Sequence, residues 1–91
     1  MSARRLELYG SRSCPHTTEL REHLEWCHES FVEYDVETDS EAFLRLQDLI
    51  SESMAVPVPV LVENGMVTTV GWQGHSCSIS ELPLQRRPYK S

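Results

Sequence analysis

Apolar and polar residues alternate in Leu6-Glu7-Leu8-Tyr9, a period of two that suits a strand, and Gly10 ends it. Pro15 follows where a helix can begin, because a first-turn residue has no intrahelical partner for its missing N–H. Leu20, Leu24 and Cys27 then recur at helical spacing, with Glu19, Arg21, Glu22 and Glu25 around them, which predicts a helix from Pro15 to about His28. Phe31-Val-Glu-Tyr-Asp-Val36 is rich in β-branched and aromatic residues and predicts a second strand. Thr38-x-x-Glu41 has the form of a capping box, with Asp39 and Ser40 as alternative caps. Phe43, Leu46, Leu49 and Ile50 mark the apolar face of a second helix. Val58 to Val62 is a short apolar run that predicts a buried strand, Asn64-Gly65 is a hairpin turn, and Val67 to Val70 is the returning strand. After Gly71 and Gly74 the pattern weakens. Ser78-x-x-Glu81 predicts the cap of a short third helix, with Pro83 in its first turn and Pro88 limiting its length.

The predicted order is β-α-β-α-β-β-α, an α/β arrangement around a central four-stranded mixed sheet. A helix crossover joins the first two strands, so they should lie parallel. With 91 residues, no repeat and no internal linker, the chain should be one domain over 1–91, with a loose basic tail at 86–91.

Charge narrows the class of partner. The formal net charge is −6, and eleven acids but only two bases, Arg21 and Arg45, lie between Glu19 and Glu52. Such a chain repels phosphate backbones, which argues against nucleic acid. The acids read first as solvated helix faces and second as a docking surface for a basic partner. No apolar run approaches a membrane span, and the arginines at Arg4 and Arg5 lead into a strand and not into a signal-peptide core. The expectation is a cytoplasmic protein with no membrane partner.

Three cysteines, Cys14, Cys27 and Cys77, make no even disulfide set and match no zinc-finger spacing. Cys14 carries the chemistry. It falls between a strand end and a helix start, where unpaired backbone N–H groups and the helix dipole stabilise a thiolate. A cysteine so placed can have its pKa lowered to about 3.5–7.5, and the thiolate is the nucleophile of disulfide exchange. Arg12 adds positive charge nearby, and His16 and Thr17 are within reach of the sulfur. Cys27, four residues after His23, reads as a core thiol beside a partly exposed histidine. Cys14-x-His16 and His75-x-Cys77 are the components of a possible four-ligand zinc or copper site, but a proline loop and a solvent-facing turn fix four ligands poorly, so no metal is expected.

Tyr9-Gly-Ser-Arg-Ser-Cys14-Pro15-His16-Thr17 resembles the active-site loop of glutaredoxins, where a strand leads into Cys-Pro-x-Cys or Cys-Pro-x-Ser. Val58-Pro59-Val60-Leu61-Val62 with Gly65 resembles the Val-Pro-x-Ile-Phe-Ile segment of that family, and Gly71-Trp72-Gln73-Gly74 stands where it has a glycine-rich turn. The same three segments resemble the bacterial glutaredoxin-like group called UXX-star, some members of which carry selenocysteine at the position of Cys14. The resemblance covers roughly Leu6 to Ser78 and implies a thioredoxin-like fold of glutaredoxin type.

It further implies that Pro59 is a cis-proline facing Cys14, with Pro57 as the competing candidate, and that the Val58 backbone pairs with the cysteinyl part of glutathione or of a peptide. Three departures matter. Thr17 replaces the second motif cysteine, so no disulfide forms within the motif. Ser11 replaces the family's lysine, and His75-Ser76-Cys77 stands where the family holds glutathione. The absent second cysteine makes Cys77 the candidate resolving thiol.

The expected activity is thiol–disulfide exchange of the monothiol glutaredoxin type, through the single motif cysteine on protein or glutathione mixed disulfides, with glutathione, another low-molecular-weight thiol or Cys77 as the second thiol that releases the product, and no bound cofactor. The candidate residues are Cys14, Thr17 and Cys77 for the chemistry, and Arg12, Pro15, His16, Val58, Pro59, Gly71 and Trp72 around the substrate. The rival expectation is a non-catalytic thioredoxin-fold module that binds a protein, a metal or an iron–sulfur cluster.

Overall fold

The computed structural model describes residues 5–51 and 55–79. Its elements are β1 (Leu6–Gly10), α1 (Pro15–Trp26), β2 (Phe31–Asp35), α2 (Ser40–Ile50), β3 (Val56–Val58), β4 (Val60–Glu63), β5 (Met66–Val70) and β6 (Cys77–Ile79). Four strands form one mixed sheet in the order β2-β1-β4-β5. β1 runs parallel to β2, as the α1 crossover requires, and antiparallel to β4, while β4 and β5 form the hairpin. Both turn residues of that hairpin have positive φ, 53° at Asn64 and 84° at Gly65, the backbone that matches the twist of the strands it joins.

Alternation along the central strands sends side chains to two cores. Leu6 and Leu8 of β1 join Leu20 and Leu24 of α1 on one face, with Phe31, Leu61 and Trp72 packed against them. Tyr9, Val60 and Val62 meet Ala42, Phe43 and Leu46 of α2 on the other. This explains the nearly continuous apolar run of β4: Val60 and Val62 face α2 while Leu61 faces α1. Each such buried side chain stabilises the fold by about 1.5–3 kcal/mol relative to exposure.

Several local expectations are revised. The expected strand Val58–Val62 is divided: β3 ends at Val58, the Val58–Pro59 peptide bond is cis, and β4 begins at Val60. β3 leaves the main sheet and pairs with β6, a strand the sequence pattern did not show. Ser78 lies within β6; the proposed third helix beyond it and the tail at 86–91 lie outside the described residues. α1 stops at Trp26, with His28 at φ 60° and the Glu29 amide returning to the Leu24 carbonyl over 3.0 Å, a left-handed helix ending. Cys27 is therefore past the last turn and exposed, not part of the apolar face; its sulfur is 3.7 Å from His23 Nε2. Asp39, not Thr38, caps α2 by accepting the Ala42 amide at 3.1 Å.

Candidate redox site

Cys14 is the N-cap residue of α1, with extended backbone (φ −96°, ψ 116°) and Pro15 in the first turn. Its amide donates to the Ser11 carbonyl over 3.1 Å, and its own carbonyl accepts from Thr17 at 3.1 Å and Thr18 at 3.4 Å. The sulfur thus sits at the mouth of the helix, where backbone N–H groups and the dipole favour negative charge. Cys14 is joined by a disulfide to Cys77, 63 residues away, with Cα atoms 6.1 Å apart. Closing a loop of that length restricts the unfolded chain by about 4 kcal/mol on a chain-entropy basis.

The other wall of the site comes from β3 and β6. Val58 and Cys77 are cross-strand partners, and the Cys14 sulfur lies 3.9 Å from the Val58 carbonyl oxygen. Pro59, the cis residue, is fully buried and follows directly. Its carbonyl accepts the Gly71 amide at 2.7 Å, and Trp72 and His75 close the following turn with reciprocal bonds of 2.7 and 3.0 Å. Gly71 has φ +83°, and a Cβ there would lie 2.7 Å from the His75 carbonyl oxygen. That turn therefore requires glycine, and it delivers Cys77 to Cys14.

The two histidines beside the cysteines meet as well. The His16 and His75 rings stack with centroids 5.2 Å apart and planes 16° off parallel. Nearly parallel rings keep their in-plane lone pairs from converging, and among the described residues no group of three or more His, Cys, Asp or Glu is arranged to hold a metal. His16 Nδ1 is buried and lacks a hydrogen-bond partner; the nearest carboxylate oxygen, on Glu19, is 3.9 Å away. Trp72 tilts against His23, with centroids 4.9 Å apart, and packs on the α1-side core.

The remaining candidates divide by position. The buried Thr17 hydroxyl does not turn to the sulfur; it accepts the Ser11 amide at 3.2 Å. Thr17 also packs so tightly on Gly10 that a Cβ at residue 10 would collide with its methyl group. Its geometry is that of a positioning residue. Arg12 is 86% exposed and directs its guanidinium to Asp35 at 3.8 Å, so its charge is shared with a carboxylate. Pro15 is exposed beside the sulfur. Glu37 escaped the sequence reading altogether: one of its oxygens accepts from both Ser11 and Ser13 hydroxyls, which fastens the loop leading to Cys14. Nothing in the local pattern around Glu37 marks it, because its partners are 24 and 26 residues distant.

No protein-family profile matches the chain, and no curated protein matches it. Among solved structures it is similar to a mutant form of the thioredoxin-like protein BC3987. The two share 28% identity and superpose with a TM-score of 0.64, over 75% of this chain and 82% of that one. Strand order, helix placement and this likeness agree on a thioredoxin-like α/β fold that carries a redox-type cysteine pair, Cys14 and Cys77.

Proposed function

We propose that the chain is a glutaredoxin-like thiol–disulfide oxidoreductase in which Cys14 is the nucleophile and Cys77 the resolving thiol. The observation that carries this reading is a sulfur at a helix mouth, bridged to a second cysteine and set beside a cis-proline. The Cys14 thiolate attacks a protein or glutathione mixed disulfide, forming a new mixed disulfide and releasing one thiolate. Cys77 then attacks the Cys14 sulfur and releases the second. Glutathione or another low-molecular-weight thiol restores the dithiol, as a reducing compartment such as the cytoplasm allows.

The roles follow from position. The first turn of α1 holds the thiolate, with Arg12 contributing what charge Asp35 leaves it. Val58 and Pro59 present the backbone edge and close wall, and Gly71 and Trp72 shape the far side. His16 stacks on His75, each ring standing two residues from one cysteine of the pair. Ser11, Thr17 and Glu37 hold the loop.

The test is the pH dependence of Cys14 alkylation, together with reduction of a glutathione mixed disulfide by the wild type, Cys14→Ser and Cys77→Ser. A Cys14 pKa well below about 8.5, no turnover in Cys14→Ser and accumulation of a mixed disulfide in Cys77→Ser support the assignment. An unshifted pKa without turnover would identify a binding module instead.

A further inference from the structure

We propose that β6 is a built-in stand-in for an extended cysteine-bearing peptide, and that closure of the Cys14–Cys77 bond expels such a peptide by strand exchange. The proposal rests on the oxidoreductase reading above and adds the substrate class and the manner of release.

Cys77 makes two contacts at once. Its sulfur is bonded to Cys14, and its backbone stands opposite Val58 in an antiparallel register that also matches Pro57 with Ser78 and Val56 with Ile79. Disulfide geometry holds bonded Cα atoms within about 4.4–6.8 Å, and here they are 6.1 Å apart. Any polypeptide cysteine bonded to Cys14 therefore has its own Cα within the same short reach. The backbone edge it meets there is that of β3, which among the described residues pairs with β6 and with no other strand. One edge thus serves two claimants, and they exclude one another.

β6 is suited to yield. It has three residues, and its hold on the core comes from Cys77 and Ile79, both only partly buried, while Ser78 is exposed. The preceding turn stays fixed by the Gly71–Pro59 bond and the Trp72–His75 pair, so among the described residues only 76–79 need to lift. An isolated three-residue pairing without its covalent tie is weak.

The cycle balances. Cys14 thiolate attacks the peptide disulfide, the Cys14–peptide bond forms, and the peptide's other sulfur leaves as a thiolate. Cys77 thiolate attacks the Cys14 sulfur, the Cys14–Cys77 bond forms, and the peptide cysteine leaves as a thiolate while β6 takes the edge. The peptide disulfide gains two electrons, the two chain thiols lose them, and their protons pass through solvent to the released thiolates. Two molecules of glutathione, or of another low-molecular-weight thiol, reduce the Cys14–Cys77 bond and leave as their own disulfide, which resets the pair.

The test uses two peptides, identical except that one is N-methylated at its cysteine amide, each activated as a 2-thiopyridyl disulfide. A Cys27→Ser background removes the exposed thiol. Formation of the Cys14–peptide bond is timed in Cys27→Ser/Cys77→Ser, and ring closure is timed in Cys27→Ser by acid quench and mass. Loss of one edge hydrogen bond should slow formation and speed closure, each by about three- to tenfold. Equal closure rates for the two peptides, or slower closure with the methylated one, would overturn the strand exchange. Pyridyl activation drives adduct formation on any accessible thiol, so this outcome is read apart from glutathione turnover, which alone tests the function.

Discussion

The amide of Gly71 donates to the carbonyl of Pro59 over 2.7 Å, and through this bond the turn that carries Cys77 is tied to the proline beside Cys14. Gly71→Ala places an L-residue at φ +83° and its Cβ 2.7 Å from the His75 carbonyl oxygen. The expected loss is about 1–3 kcal/mol, measured by urea unfolding. In a glutathione redox buffer the variant should also shift toward the open dithiol. Unchanged stability and unchanged redox balance would mean that the turn does not position Cys77.

Gly10 and Thr17 form a second tight pair, with a Cβ at residue 10 meeting the Thr17 methyl and lying 2.8 Å from its hydroxyl oxygen. Gly10→Ala should destabilise through overpacking by about 1–3 kcal/mol. Thr17→Ala should cost about 1–3 kcal/mol by leaving the buried Ser11 amide without its acceptor. The double variant should lose less than the sum, since removing the threonine makes room for the new methyl group. Strict additivity in a double-mutant cycle would show that the two sites do not touch.

Glu37→Ala releases the Ser11 and Ser13 hydroxyls together. Hydrogen bonds to a charged acceptor contribute about 1.5–3 kcal/mol, and a loss near the low end is expected because Ser13 is exposed. The more telling readout is the rate at which Cys14 is alkylated after reduction. It should fall as the loop loosens and the sulfur spends less time at the helix mouth. Restoration by Glu37→Gln would assign the effect to hydrogen bonding and not to charge.

Tyr9 is buried, stacks on Tyr34 with centroids 5.0 Å apart, and accepts a hydrogen bond from Arg45 at 3.2 Å. Burial raises its phenol above the ordinary 10.0, the Arg45 bond opposing this. A raised folded-state pKa means the native state holds the proton more tightly. The associated stabilisation is fully present below pH 10.0 and is lost as pH rises through the folded value. Tyr9→Phe should therefore lower stability by about 0.5–1.5 kcal/mol at neutral pH and remove this group's share of the alkaline decline. Parallel alkaline limbs for the two proteins would refute the assignment.

How far the sequence reveals the site depends on distance along the chain. Cys14 at a helix start and the Asn64–Gly65 turn are legible because each is a local signal, whereas the choice of Pro59 over Pro57 as the cis residue rests on the family resemblance and not on local pattern. Proline tolerance, turn chemistry and apolar spacing act within a few residues. The β3–β6 ladder is not legible, since three-residue strands show no periodicity and their pairing joins segments about twenty residues apart. The Cys27 assignment fails for a local reason: its spacing continues the apolar face, but the helix ends one residue earlier. Glu37 is invisible because its role exists only once β2 has brought it beside the Ser11 loop.

The exposed position of Cys27 has a practical consequence. With Cys14 and Cys77 locked together, a thiol reagent meets one sulfhydryl per folded molecule, and after reduction it meets three. A fluorophore placed on Cys27 in the locked state would leave the bridging pair untouched, so opening and closure could be followed on a molecule labelled at one known position of the α1 end.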